Sequence, residues 1–118
     1  MKNSIIILAM VMAMSCAGDK NAKPPAGLIA RDTMVNLLVD MHVAQADVGM
    51  RNLSQDSADN LIFIKRTKIL KSHNVDEEAF RDSYSYYLNN IQQMEEIYAR
   101  IVDSLGLKET QASALGTP

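Results

Sequence analysis

The apolar positions along the chain fall into three segments of helical period. From about Arg31 to Arg51, Met34, Leu37, Leu38, Met41 and Val48 recur at three- and four-residue spacings with Ala44 beside them, which predicts an amphipathic helix. Leu28 and Ile29 precede it, placed to pack back on Met34 or Val35 as a hydrophobic staple. The polar stretch from Asn52 to Asp59 interrupts the pattern. A second helix is predicted from a cap at Asp56 or Ser57 to about Ser72, with Ile62, Phe63, Ile69 and Leu70 as its buried stripe. Lys65, Lys68 and Lys71 follow at intervals of three towards its C-terminal half, where the helix dipole favours cations. Asn74 then suits a left-handed turn.

The third segment has the strongest pattern. Asp76, Glu77 and Glu78 supply a cap and an acidic first turn. Phe80, Tyr84, Tyr87, Ile91, Met94, Tyr98, Ile101 and Leu105 then alternate spacings of four and three, which predicts one long helix ended by Gly106. Such a helix would be roughly 42 Å long, against about 25 to 31 Å for the first two. An antiparallel pair of that length leaves its far end uncovered. Ile97, Ile101, Val102 and Leu105 are the apolar residues in that expected overhang, and they are the candidate partner-binding surface. The expected fold is therefore all-α: a three-helix bundle or hairpin with a long C-terminal helix.

Two flanking segments lack this periodicity. Lys2 and the unbroken apolar run from Ile5 to Ala13 read as a signal peptide, since the run is far below the roughly 20 residues a spanning helix needs. Ala13, Met14, Ser15 and Cys16 resemble the bacterial lipobox, with Ala13 where the common consensus has Leu. That resemblance implies cleavage before Cys16 and attachment of lipid to it. Residues 1–15 are thus expected to be a lipoprotein signal peptide and 16–27 a lipidated tether, with Pro24 and Pro25 stiffening it. Residues 28–106 form the helical domain, and 107–118 are expected to be a disordered tail.

Composition narrows the chemistry. The 118 residues allow one domain, and the single cysteine forms neither an internal disulfide nor a cysteine metal site. The net charge is −2, and loss of Lys2 with the signal makes it −3, which argues against nucleic acid as a partner.

Leu28-Ile29, Leu38-Val39-Asp40-Met41-His42, His73-Asn74-Val75, Phe80-Arg81-Asp82-Ser83 and Tyr86-Tyr87 together resemble a family of small Bacteroidota outer-membrane lipoproteins carrying a helical domain of unknown function. The resemblance spans about Pro25 to Leu105, with Asn74 where the family usually has Gly. It implies a helical fold and an outer-membrane address, and no activity. The position after the cysteine is Ala17 rather than Asp, which fits the outer membrane. Only Asp19 beside Lys20 follows, without the acidic cluster of surface-exported lipoproteins, so the periplasmic face is expected.

Helix geometry limits the candidate reactive residues. Asp40 and His42, two apart on a helix, point about 200° away from each other and cannot share a ligand. His73 could reach His42 only through tertiary contact. Ser83 lies inside a helix, with no strand-to-helix elbow to expose it. No catalytic, metal or cofactor set is expected, and the chain is read as a non-enzyme. Asp40 and Asp47, seven apart, are expected to meet the basic stripe of the second helix. Ser57, in Asp56-Ser57-Ala58, matches a loose O-glycosylation signal of exported Bacteroidota proteins and is equally a helix cap. The leading functional expectation is a lipid-anchored interaction module, an accessory subunit of an envelope assembly or secretion complex. The alternative is a small-ligand or glycan-binding lipoprotein with a groove lined by Tyr84 and Tyr87. The membrane, through acylated Cys16, and another envelope protein are the expected partners, and the heptad pattern also permits a homodimer.

Overall fold

The computed structural model describes residues 23–116, and over that range the chain is helix and turn without strand. The expected signal peptide and Cys16 lie outside the described residues. Helix α1 spans Arg31–Gly49, α2 Gln55–Ser72, α3 Glu77–Leu88 and α4 Ile91–Ala114.

Side-chain caps explain where α2, α3 and α4 begin, whereas α1 starts after Ala30 without one. Ser54 accepts from the Ser57 amide at 3.4 Å, so α2 starts just before the expected cap residues. Asp76 accepts from the Ala79 amide at 2.7 Å and opens α3 as the acidic run predicts. The end of α2 is a left-handed stop at Asn74, with φ 55. There the Val75 amide donates to the Leu70 carbonyl at 3.0 Å and the Asn74 amide to the Lys71 carbonyl at 3.1 Å. Those paired bonds satisfy carbonyls that a helix end would otherwise leave open.

The long third helix is divided. Leu88 ends α3, and Asn90 restarts the chain as the cap of α4 by accepting from the Gln93 amide at 3.4 Å. Short polar side chains that bond nearby backbone favour such caps over a helix interior. The buried positions keep one spacing across it, Phe80, Ser83 and Tyr87 in α3 and Met94, Ile97 and Ile101 in α4. In α4 the buried positions are Met94, Ile97 and Ile101, while Ile91 and Tyr98, which the unbroken repeat would bury, are exposed. At the far end the helix passes Gly106, its expected stop, and runs to Ala114. A glycine inside a helix costs only about 1 kcal/mol. Leu105 packs on the core on one side of it and Lys108 approaches Asp40 at 3.9 Å on the other. The left-handed glycine that follows the helix is Gly116, with φ 65.

Ion pairs reveal the topology. Asp47 meets Lys65 and Asp40 meets His73, so α2 runs antiparallel to α1. Glu96 meets Arg31, Arg100 meets Asp32 and Lys108 approaches Asp40, so α4 runs alongside α1 in the same direction. Helix α1 is consequently wrapped. Met34, Val35, Leu37, Leu38 and Val39 are all buried, with Leu70, Phe80, Tyr87, Met94, Ile97 and Ile101 packed around them.

The segment before α1 is pinned by two side chains of α3. The buried Ile29 donates its amide to Ser83 Oγ at 2.9 Å, and its carbonyl accepts from the Tyr87 hydroxyl at 2.6 Å. Ser83→Ala leaves a buried amide without an acceptor and is expected to cost about 1–3 kcal/mol. Ser85→Ala, exposed on the same helix, is expected to stay within about 0.5 kcal/mol. Urea unfolding midpoints make the comparison, and equal midpoints would remove this clasp from the supports of the fold.

Candidate functional site

Residues of the expected overhang divide between core and surface. Ile97 and Ile101 are only 1% and 2% exposed, and Leu105 is partly buried against the same cluster. Of the four expected partner-binding residues only Val102, at 66%, is open to solvent. The reason is the direction of α4. An antiparallel neighbour would leave its end bare, whereas α4 lies along α1 and is covered by it.

The surface that α4 does present is shifted around the helix. Ile91, Tyr98 and Val102, at spacings of seven and four, share one face and are 68%, 47% and 66% exposed. Glu95 lies within that stripe and Glu109 continues it, neither with a cationic partner among the described residues. The face is apolar with an acidic component.

The tyrosines do not share a groove. Tyr87 is buried and committed to Ile29, with the Tyr86 ring set edge-on to it at 5.5 Å. Tyr84 is half-buried and stacks on Phe80, with centroids 5.8 Å apart and planes 9° apart. Burial, and then the neighbouring Tyr98 phenol, hold the Tyr84 pKa above its ordinary 10.0. Tyr84 and Tyr98 could not meet on one straight helix, so their contact follows from the break at Asn89 and Asn90. Tyr87 is therefore not the ligand-facing residue that the groove reading requires.

An open groove exists elsewhere, of about 1020 Å³, between α2 and the start of α3. Ile62, Phe63, Leu70 and Val75 provide its apolar lining. Arg66 spans its rim, paired with Glu77 and lying 5.0 Å over the Phe80 ring. Phe63, expected in the buried stripe of α2, is instead 68% exposed and Ile64 beside it 48%. Four consecutive apolar residues, Leu61 to Ile64, span about 300° of a helix and cannot all face one neighbour. That spread was the available signal. Ile62 and Ile69 turn towards Met41 and Ala44 of α1, which sends Phe63 and Ile64 outwards.

The polar candidates are tied to one another. His73 Nε2 lies 2.9 Å from Asp40 Oδ2, and His42, which is exposed, keeps its Nδ1 2.9 Å from the Leu38 carbonyl. Asp40 and His42 thus point to different surroundings. Among the described residues no group of three His, Cys, Asp or Glu is arranged to hold a metal ion. Ser83 spends its hydroxyl on the Ile29 amide. Ser57 is exposed in the first turn of α2, its Oγ 2.9 Å from that of the capping Ser54, rather than in a loop. Cys16 lies outside the described residues.

The family model described as a domain of unknown function, DUF4296, matches residues 25–111. No curated protein and no solved structure matches the chain.

The acid response of α1 can be read from Asp47. Hydrogen bonds from Lys65 and then Arg51 hold its carboxyl below the ordinary 3.8. A carboxyl depressed on folding stabilises the protein above its unfolded pKa, and that contribution is lost as pH falls through the folded value. Titrating stability from pH 6 downwards should show a decline beginning near pH 4 that Asp47→Asn makes shallower. Superimposable acid profiles would mean that the Asp47 pairs have no energetic role.

Proposed function

The chain belongs to the DUF4296 family, which carries no assigned activity, and from that premise we propose that it is a lipid-anchored helical interaction module of the bacterial envelope. In this reading it is a Bacteroidota lipoprotein, acylated at Cys16 and held at the periplasmic face of the outer membrane. There it serves as a non-catalytic accessory subunit of an assembly or secretion complex.

Support for the address comes from the sequence before the helical domain. A short apolar run that ends in Ala13-Met14-Ser15-Cys16 is the pattern that lipoprotein processing requires. Two or three acyl chains, at about 0.8 kcal/mol for each buried methylene, make such an anchor effectively permanent.

The observation that carries the interaction role is the stripe Ile91, Tyr98 and Val102 on α4. Apolar residues aligned on one helix face are how a helix engages a groove of another protein. Glu95 and Glu109 within the stripe favour a partner whose groove is apolar and edged by lysine or arginine. A role without catalysis accords with Ser83 and Tyr87 being committed to Ile29.

Two measurements test this reading. Cys16→Ser should block normal maturation and move the protein out of the membrane fraction; a form that matures and stays there would overturn the anchor. A photo-crosslinker at Val102 should give one discrete adduct in native membranes, which Tyr98→Asp reduces at least tenfold. Val102 and Tyr98 are both exposed and, although Tyr98 meets the Tyr84 phenol, neither belongs to the buried cluster, unlike Ile97, whose change to Ala should cost about 2–5 kcal/mol of stability. An adduct containing only a second copy of the chain would replace the partner with a homodimer. No adduct would defeat the interaction role.

A further inference from the structure

We propose that the outer face of α2 rests on the anionic lipid surface to which the chain is tethered, with Phe63 and Ile64 entering the headgroup region and Lys68 and Lys71 meeting lipid phosphates. The inference rests on the anchored reading and adds to it an orientation.

The face is defined by what α2 does on its other side. Ile62 and Ile69 turn to α1, and Lys65 pairs with Asp47 of α1 at 3.0 Å. Phe63, Ile64, Thr67, Lys68 and Lys71 fall at helical spacing on the side away from that contact, and all five are exposed. Two bulky apolar side chains and two lysines on one face are the composition of a helix that lies in a membrane interface. Lys65 and Arg66 have carboxylate partners, whereas Lys68 and Lys71 have none among the described residues. Two cations therefore stand beside two exposed apolar side chains without an ion-pair contact, although Asp76 and Glu77 border the same groove as Lys71.

Charge selects this face over others. The chain as a whole is acidic, so an anionic surface repels it in most orientations. Asp56 and Asp59 lie at the N-terminal end of this side of α2, twelve and nine residues from Lys68, roughly 18 and 14 Å along the helix and beyond the screening length at physiological salt. The stripe on α4 carries Glu95 and Glu109 and is disfavoured against the same lipid.

The reach of the chain permits the contact. Cys16 and Pro25 are nine residues apart and span at most about 30 Å. Pro25 enters a turn to Leu28, and Ile29 is then clamped to α3. From the start of α1 to Asp40, the residue level with the end of α2, is about 14 Å. The C-terminal half of α2 is therefore within range of the bilayer that holds Cys16, at the high effective concentration a short tether imposes.

The absence of tryptophan from the sequence supplies the test. The mature chain, Cys16 to Pro118, carrying Phe63→Trp is coupled through its only cysteine to a maleimide-headgroup lipid in vesicles. On phosphatidylglycerol vesicles the indole should emit at shorter wavelength, resist acrylamide and be quenched by brominated acyl chains. On phosphatidylcholine it should stay exposed, and Val102→Trp should stay exposed on both. Lys68→Gln with Lys71→Gln should lower the docked-to-free ratio about 25-fold, from about fivefold for each lysine. An indole open to acrylamide on phosphatidylglycerol would overturn the proposal. So would shielding indifferent to lipid charge and to the lysines, or shielding that grows only with protein density, which would assign the face to a second copy. Because the coupling imposes the tether chemically, these results stand apart from the cellular Cys16→Ser fractionation, which tests the anchor alone.

Discussion

Ile29 is buried, yet it belongs to no helix, and its amide and carbonyl can reach neither water nor a helical neighbour. Leaving both open would cost a domain of this size much of its stability. Ser83 and Tyr87, one turn apart on α3, close the two groups at 2.9 and 2.6 Å. That pair dictates much else. It requires α3 to lie across the start of α1, with Tyr87 buried one residue before the helix ends. The chain must then turn at Asn89 and Asn90 for α4 to return along α1. It also makes the segment entering the domain a fixed point, so whatever precedes Pro25 pulls on a rigid body.

Once α4 lies along α1, burial follows from geometry. A helix flanked on one side by α2, on another by α4 and crossed at its start by α3 has little solvent-facing surface in its first half. This is why Val35 and Val39 are buried together with Met34 and Leu38. The exposed pairs Arg31–Glu96 and Asp32–Arg100 add little energy individually. Their value is in register, since a parallel neighbour slid by one turn would lose both. The Asp40, His73 and Lys108 cluster does the same at the other end, where α2 and α4 both approach α1.

Local signals made part of this legible from the residues. The three- and four-residue spacing of α1, the Asp76 cap and the left-handed Asn74 each act within a few residues, and each appears in the structure. The break in the third segment was hidden because the four-and-three alternation runs through Asn89 and Asn90 without a gap. Periodicity records which residues are apolar, and only the tertiary fold decides whether Ile97 or Tyr98 faces the core. The adjacent asparagines were the one visible hint, since Asn is a poor interior residue and a good cap. The exposure of Phe63 has a similar cause, because apolarity alone does not mark a buried stripe and the Leu61 to Ile64 run is too wide to be buried against α1 alone. For the candidate site the loss was greater. Ile97 and Ile101 would form a surface only beside an antiparallel neighbour, and the direction of α4 is a property of the whole chain.

The two apolar surfaces left over differ in charge, and that difference gives them different uses. On α2, Phe63 and Ile64 stand beside Lys68 and Lys71; on α4, Ile91, Tyr98 and Val102 stand with Glu95 and Glu109. Near an anionic surface each lysine is drawn in and each glutamate pushed out, so the two faces are sorted by the same field. Apolar area alone does not orient a tethered domain, because it attaches equally well either way up. Charge added to that area breaks the symmetry. In the proposed anchored state, a domain clamped at Ile29 can then meet lipid with its basic helix while its acidic stripe stays available to a protein.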